Sequence, residues 1–290
     1  MTAPLAAMTA PLAALAAPLA AVVSLLGLAI GSFLNVVAHR VPRGESVVAP
    51  RSACPACGHA IRAYDNVPVL SWLVLRGRCR DCGARIAARY SLVELATGAL
   101  FAVVALAFGP AVLGAGSPAE AAAAIVVLAA HLALAGFGVA LTAIDLDTQR
   151  LPNALVLPLL GTGVVAFAVA GPLSGDLGAT VRALAGGAIL FAVYLVLHLV
   201  RPDGMGAGDV KLAAALGVFL GWSGWGALAV GAIAAFALGA VVGIVLMLVR
   251  RIGRKGGIPF GPWMIGGAWI GILAGEPLAR AYLSLFGLAA

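Results

Sequence analysis

Eight apolar stretches, most of them near the length that crosses a bilayer, dominate this sequence and leave it few other ways to fold. A helix needs about 20 apolar residues to cross the hydrocarbon, and only helices or closed barrels satisfy their backbone groups there. The stretches run from about Leu12 to Val37, Ser91 to Phe108, Ala119 to Ile144, Ala154 to Ala170, Ala179 to Val200, Val210 to Trp222, Trp225 to Val249 and Pro262 to Phe286. The sixth is short, so it must start deeper or lean on its neighbours. With 63% hydrophobic and 10% charged residues, the chain has too little charge to coat a soluble globule. It is also far too apolar for intrinsic disorder. Its 38 glycines suit helices that approach closely in lipid.

The formal net charge is +7. In a membrane protein basic residues set orientation, so their positions matter more than their sum. The polar stretch His39 to Tyr90 holds nine arginines: Arg40, Arg43, Arg51, Arg62, Arg76, Arg78, Arg80, Arg85 and Arg89. Arg150, Arg201, Lys211 and the group Arg250, Arg251, Arg254 and Lys255 fall in alternate later connections. With eight spans, sixteen of the 18 basic residues share one side, and only Arg182 and Arg280 lie on the other. That side is expected to be the cytoplasm, with both termini outside. The charge is then a topology signal, and nucleic acid is not an expected partner. The N-terminus repeats MTAPLAA, so Met8 is an alternative start. Without a basic n-region it is a poor signal peptide and reads as the lead into the first helix.

Cys54-Pro-Ala-Cys57 and Cys79-Arg-Asp-Cys82 are separated by 21 residues, and each second cysteine is followed by glycine. Two such knuckles suit a tetrahedral four-thiolate zinc site. Gly58 and Gly83 permit the tight turns that aim N–H groups at the sulfurs. Four thiolates leave no open coordination position, so the site is expected to be structural, stapling a loop too small for a core of its own. His39 and His59 are spare ligands in the same loop. The rival reading is redox chemistry, a membrane thiol-disulfide oxidoreductase using both C-x-x-C pairs. A reducing cytosol disfavours structural disulfides.

Asp145 and Asp147 stand in AIDLDTQRLPN, at the expected cytoplasmic end of the third span. Carboxylates are unfavourable at a helix C-terminus and costly at a membrane boundary, which points to function. Asp209 stands in DGMGAGDVKL where the sixth span begins. This is not a phosphate loop, because the Gly-Lys-Ser/Thr ending is missing. Alone, Asp209 reads as a helix cap. Paired with Asp145 at the same face it becomes chemistry, since two close carboxylates share one proton. One can then activate water while the other polarises a carbonyl. Lys211 can favour the ionised form of one. A transporter using both aspartates as coupling carboxylates is a further alternative, although no inverted repeat is evident. His131 and His198 read as packing residues, and Glu120, Asp176 and Glu276 as solvated outer positions.

These motifs together resemble the bacterial type IV prepilin peptidases, the leader peptidase/N-methyltransferase family of G-x-G-D aspartic membrane peptidases. The resemblance runs from about Gly27 onward. It rests on GSFLNVVAHRVP at Gly31–Pro42, Cys54–Cys57, DNVPVLSWLVLRGRCRDCGARIAARYSLVELATG at Asp65–Gly98, IDLDTQRLPN and GMGAGD, in that order. The family commonly has Glu-Asn-Ile-Pro where this chain has Asp65 to Pro68, and proline where it has Ser91.

The resemblance implies an all-α polytopic membrane protein of about eight transmembrane helices, with a small cytosolic zinc-binding domain between the first two. The expected division is residues 1–38 as lead and first helix, 39–90 as the zinc domain, and 91–290 as a seven-helix peptidase core. It implies the catalytic pair Asp145 and Asp209, with Asp147 acidic but not catalytic, and zinc ligands Cys54, Cys57, Cys79 and Cys82. Prepilins or pseudopilins with a short basic leader are the implied partners, cut after a glycine at the cytoplasmic face of the bacterial plasma membrane. Methylation of the new N-terminus by S-adenosylmethionine is implied for many members, and Gly31, Ser32 and Asn35 match the associated motif. No glycine-rich nucleotide-binding strand–helix unit is visible to hold that cofactor.

Overall fold

The computed structural model describes residues 3–201, 204–249 and 258–288. Asp203 and the basic group Arg250, Arg251, Arg254 and Lys255 lie outside the described residues, as does Met1. The helices are α1 (Ala3–Arg40), α2 (Leu70–Val74), α3 (Arg89–Leu113), α4 (Pro118–Thr148), α5 (Asn153–Ser174), α6 (Leu177–Val200), α7 (Ala207–Ser223), α8 (Trp225–Leu248) and α9 (Gly261–Ser284). Among the described residues there is no strand, only isolated bridges at Ala53–Ala60 and Arg78–Arg85. The fold is all-helical, as expected.

The eight apolar stretches all become long helices, and six of these are long and apolar enough to cross a membrane. The exceptions are α7, with 17 residues, and the glycine-rich α9. Most helix ends overrun the apolar stretches, although α8 and α9 stop at Leu248 and Ser284, just short of theirs. The second stretch, for example, becomes a helix from Arg89 to Leu113. Hydropathy marks what lipid tolerates, whereas backbone hydrogen bonding carries a helix on past that boundary.

The turns follow from local chemistry. Ser117 accepts the Glu120 N–H at 3.2 Å, with Pro118 next to it, and starts α4. Gly175, at φ 73°, ends α5. Asp176 then accepts the Ala179 N–H at 2.8 Å and caps α6. The outer acids expected to be merely solvated thus hold helix starts. Glu120 accepts the Gly116 N–H at 2.9 Å. Glu276 accepts the Gly226 N–H at 2.7 Å, at the head of α8. Unpaired N–H groups and the positive end of the helix dipole attract carboxylates to these places.

Helix α7 forms the centre. From Val210 to Gly221 every residue except Lys211 is buried. A 17-residue helix spans about 26 Å, shorter than the ~30 Å hydrocarbon core, and α7 does lean on its neighbours. It meets α6 backbone to backbone. A side chain at Gly217 would strike the Gly186 carbonyl, and one at Gly221 the Arg182 carbonyl. Arg182 then donates from Nε to the Gly221 carbonyl at 2.8 Å and closes the C-terminal end of α7. Glycines 267, 271 and 275 play the same part where α9 meets α8. Without a hydrophobic drive between helices in lipid, such close contact supplies the cohesion.

Gly217→Ala should therefore cost about 1–3 kcal/mol, seen as a lower midpoint in a thermal circular-dichroism melt in detergent. Gly161→Ala, where a Cβ meets nothing within 4 Å, should leave the midpoint unchanged or raise it.

Candidate active site and metal centre

One end of the bundle holds the two buried aspartates. Asp145 lies one turn before the end of α4 and is 4% exposed; Asp209, in the first turn of α7, is 9% exposed. Each carboxylate is held by a backbone N–H. Gly261, the first residue of α9, donates to Asp145 Oδ2 at 2.9 Å. Gly206 donates to Asp209 Oδ2 at 3.0 Å, the reach-back of a capping box. Both carboxylates therefore face the positive end of a helix, α9 for Asp145 and α7 for Asp209. Asp145 and His198 are near enough to act electrostatically on Asp209.

The glycines around Asp209 have steric reasons. A side chain at Gly206 would stand 3.2 Å from Asp209 Oδ2. One at Gly208 would stand 3.0 Å from Leu151 Cβ, and one at Gly261 would stand 3.2 Å from Leu151 Cδ2. Leu151 thus packs between the starts of α7 and α9. Lys211 was expected beside a carboxylate. It instead donates to Asn153 Oδ1 at 3.0 Å and ties the start of α7 to that of α5. Asp147 faces away from the pair, where Arg89 donates to its Oδ1 at 2.6 Å and to the Ala143 carbonyl at 2.9 Å. His198 does more than pack, because its Nδ1 lies 2.7 Å from the Met205 carbonyl in the glycine loop. His131 is a packing residue in part. Its Nδ1 meets the Val127 carbonyl at 2.8 Å and its ring stacks on Phe108, but its buried Nε2 has no partner among the described residues.

The four cysteines are free thiols that converge, with their sulfurs all within 4.8 Å of one another. Cys54 and Cys82 Sγ are 3.8 Å apart, close to the edge of a tetrahedron with metal–sulfur bonds of about 2.3 Å. The two knuckles repeat one pattern. Gly58 and Gly83 donate to the Cys54 and Cys79 carbonyls, while Cys54 and Cys79 donate to the His59 and Ala84 carbonyls. Both glycines sit near φ +70°, a conformation costly for other residues. Backbone N–H groups of Cys57 and Ala56 pull the Cys54 thiol down to about 6. The His59 N–H also favours the Cys57 thiolate, but desolvation and the sulfurs of Cys54, Cys82 and Cys79 outweigh it and push that thiol up to about 12. So many sulfurs cannot ionise together without a cation between them, and the donor set fits a soft divalent metal. Neither His39 nor His59 joins the cluster. Arg80 grips Asp65 through Nε and Nη2, at 2.9 and 2.6 Å, and holds its carboxyl below the usual range.

Gly31 and Asn35 lie where α1 meets α3, with Ser32 beside them on α1. A side chain on Gly31 would stand 2.7 Å from Glu94 Cα, Ser32 is half-buried, and Asn35 donates to the Tyr90 carbonyl at 3.0 Å. Sequence reasoning missed Glu94 beside them. It is buried in α3 and accepts the Val69 N–H at 2.7 Å, with Val69 at φ 60°. Its signal was a lone acid inside an apolar stretch. It missed also that the Gly261 amide reaches Asp145, for which a backbone donor leaves no sequence signal.

A helical membrane bundle with two buried aspartates at one end and a four-cysteine cluster in the loop beside it defines the class of protein. Residues 25–108 match the Bacterial Peptidase A24 N-terminal domain, and residues 132–272 match the Type IV leader peptidase family. A prepilin leader peptidase/N-methyltransferase from Aeromonas hydrophila is 41% identical over 290 residues, covering 91% of this chain and 93% of the relative. Proteins of the same name from Burkholderia pseudomallei (strain 1026b) and Pseudomonas aeruginosa are 41% and 37% identical, each over 91% of this chain and over 87% and 93% of their own lengths. No solved structure matches the chain. The chain belongs to the Type IV leader peptidase family.

The purified protein should carry one thiolate-bound metal ion per chain, counted by plasma mass spectrometry. Cys57→Ser should empty the site, and residues 44–88 should then become sensitive to limited proteolysis while the helical bundle survives.

Proposed function

We propose that this protein cuts the basic leader from type IV prepilins or pseudopilins, using Asp145 and Asp209 as the catalytic pair at the cytoplasmic face of the plasma membrane. The observation that carries the reading is the pair itself: two buried carboxylates from α4 and α7, each with one oxygen on a helix-start N–H. One carboxylate takes a proton from water as the water attacks the scissile carbonyl. The other, protonated, donates to the carbonyl oxygen; as the tetrahedral intermediate collapses and the C–N bond breaks, it takes that proton back while the first passes the water's proton to the leaving amine. The relatives' shared name supports the substrate. So does simple physics, since a basic leader stays in water while the apolar pilin helix enters lipid, placing the scissile bond at the boundary.

In this reading all eight long helices cross, the short α7 among its neighbours and α9 behind it. The ends holding Asp145 and Asp209 then face the cytoplasm with sixteen of the 18 basic residues. The metal is zinc, held by Cys54, Cys57, Cys79 and Cys82. It supplies cross-linking of the loop and no open position for substrate. The convergence of all four thiols into one cluster favours this over two independent redox pairs.

The relatives' name also supports methylation of the new N-terminus, for which S-adenosylmethionine supplies the methyl group. Gly31 and Asn35 are engaged in the α1–α3 contact, so they do not fit a cofactor pocket as placed. Their part in methylation is positional, holding the cytosolic loop on the core.

Asp145→Asn and Asp209→Asn should each lower prepilin cleavage by at least about 10²-fold in reconstituted membranes. Each amide keeps an acceptor oxygen for its N–H partner, so melting temperature should hold. Full processing by either variant would sink the two-carboxylate mechanism. Mass spectrometry of pilin processed with S-adenosylmethionine present should show one added methyl group; an unmethylated product rejects the second activity.

A further inference from the structure

The cytosolic loop presents a surface that neither the aspartate pair nor the metal cluster uses. Helix α2 is five residues long and two-faced. On one side Trp72 Nε1 donates to the Ile86 carbonyl at 3.1 Å, and Ser71 Oγ to the Tyr64 carbonyl at 3.0 Å, fixing the helix to its own domain. On the other side Leu70, Leu73 and Val74 are 61%, 57% and 75% exposed. Their spacing of three and four residues puts them on one face. Three large apolar side chains in a row on a cytosolic domain need a partner.

The depth of α2 says what that partner is. The N–H of Val69, the residue just before α2, is held by Glu94 Oε2 at 2.7 Å. Glu94 lies about 7 Å into α3 from Arg89, at ~1.5 Å per residue. The Glu94 backbone in turn abuts Gly31, which lies about 13 Å back from the end of α1 by the same rise. Both helices are apolar membrane spans at these points. The start of α2 is therefore pinned below the ends of α1 and α3, at the level where headgroups meet acyl chains. An apolar face at that level enters the acyl boundary.

Charge points the same way. Arg76, Arg78 and Arg85 follow α2, are exposed, and have no side-chain partner among the described residues. Arg62 and Arg80 are by contrast occupied with Asp81 and Asp65. Three free guanidinium groups beside an apolar ledge suit anionic headgroups and repel a basic leader peptide.

We propose that α2 and the following arginines form a monotopic membrane-docking surface, with Leu70, Leu73 and Val74 in the leaflet and Arg76, Arg78 and Arg85 on anionic phospholipid headgroups. The surface clamps the metal-bearing domain flat beside the active-site end of the bundle. The proposal needs only that α1 and α3 cross the membrane, and it stands apart from the cleavage chemistry.

The test is amide hydrogen exchange on the full-length protein in nanodiscs of phosphatidylcholine alone and with about a third phosphatidylglycerol, an anionic fraction that sets up a negative surface potential. In the anionic discs the amides of residues 70–76 should exchange at least about tenfold slower than in the neutral discs. Arg78→Ala with Arg85→Ala should remove that dependence on lipid charge, and Leu73→Glu with Val74→Glu should remove the protection in both lipids. Metal content, measured alongside, shows that the variants keep the domain folded, and the lipid comparison on the unaltered protein needs no variant. Equal exchange of the unaltered protein in both discs, or protection that appears only when a prepilin is added, overturns the proposal.

Discussion

A carboxylate placed at the edge of a membrane has lost most of its water, and the protein must supply what water did. Here the supply is backbone amide. Asp145 receives the first N–H of α9, and Asp209 receives the N–H that opens the first turn of α7. Asp145 alone sits badly, at the negative end of its own helix. The start of α9 corrects this across 116 residues of sequence. The arrangement requires α9 to begin beside the end of α4 and α7 to begin beside α9. Leu151 packs against both starts. The geometry of the pair is therefore a property of the whole core, and no single motif creates it.

The core can be that exact because its central helix is locked by glycine. The contact of α6 with α7 leaves no room for a β-carbon at Gly186, Gly217 or Gly221, so helix rotation or sliding is blocked by backbone rather than by pliable side chains. Arg182 at the far end of α7 and Lys211 at the near end fix it lengthwise. A helix too short to span the hydrocarbon by itself is thus held at a fixed height, and the height of Asp209 is set with it.

Much of this was legible in the sequence. Hydropathy located all eight long helices, because burial in lipid or, for α7, in the bundle centre imposes apolar runs. The two C-x-x-C-Gly knuckles foretold the four-sulfur cluster, since the spacing encodes the turn. Asp145 and Asp209 stood out as acids at membrane boundaries, and both are buried at one end of the bundle. The contacts around them were not legible. Lys211 binds Asn153 because helix packing, rather than sequence neighbourhood, decides where a long side chain lands. Glu120, Asp176 and Glu276 looked like solvated acids because a helix cap and a surface carboxylate have the same sequence. The borders of the spans also shifted, as hydrogen bonding outlasts hydropathy at a helix end.

Arg89 joins the two halves of the chain in a way that has a mechanical meaning. It begins α3, directly behind the metal-bearing loop, and its guanidinium holds both Asp147 and the Ala143 carbonyl in the last turns of α4. Those two anchors bracket Asp145 in sequence. The start of α3 and the end of α4 are thus tied together, with Asp145 between the two points of attachment. The Asp145 carboxylate therefore sits on a helix end that the start of α3 holds on both sides, so the register of α3 against α4 is also the register of the catalytic candidate.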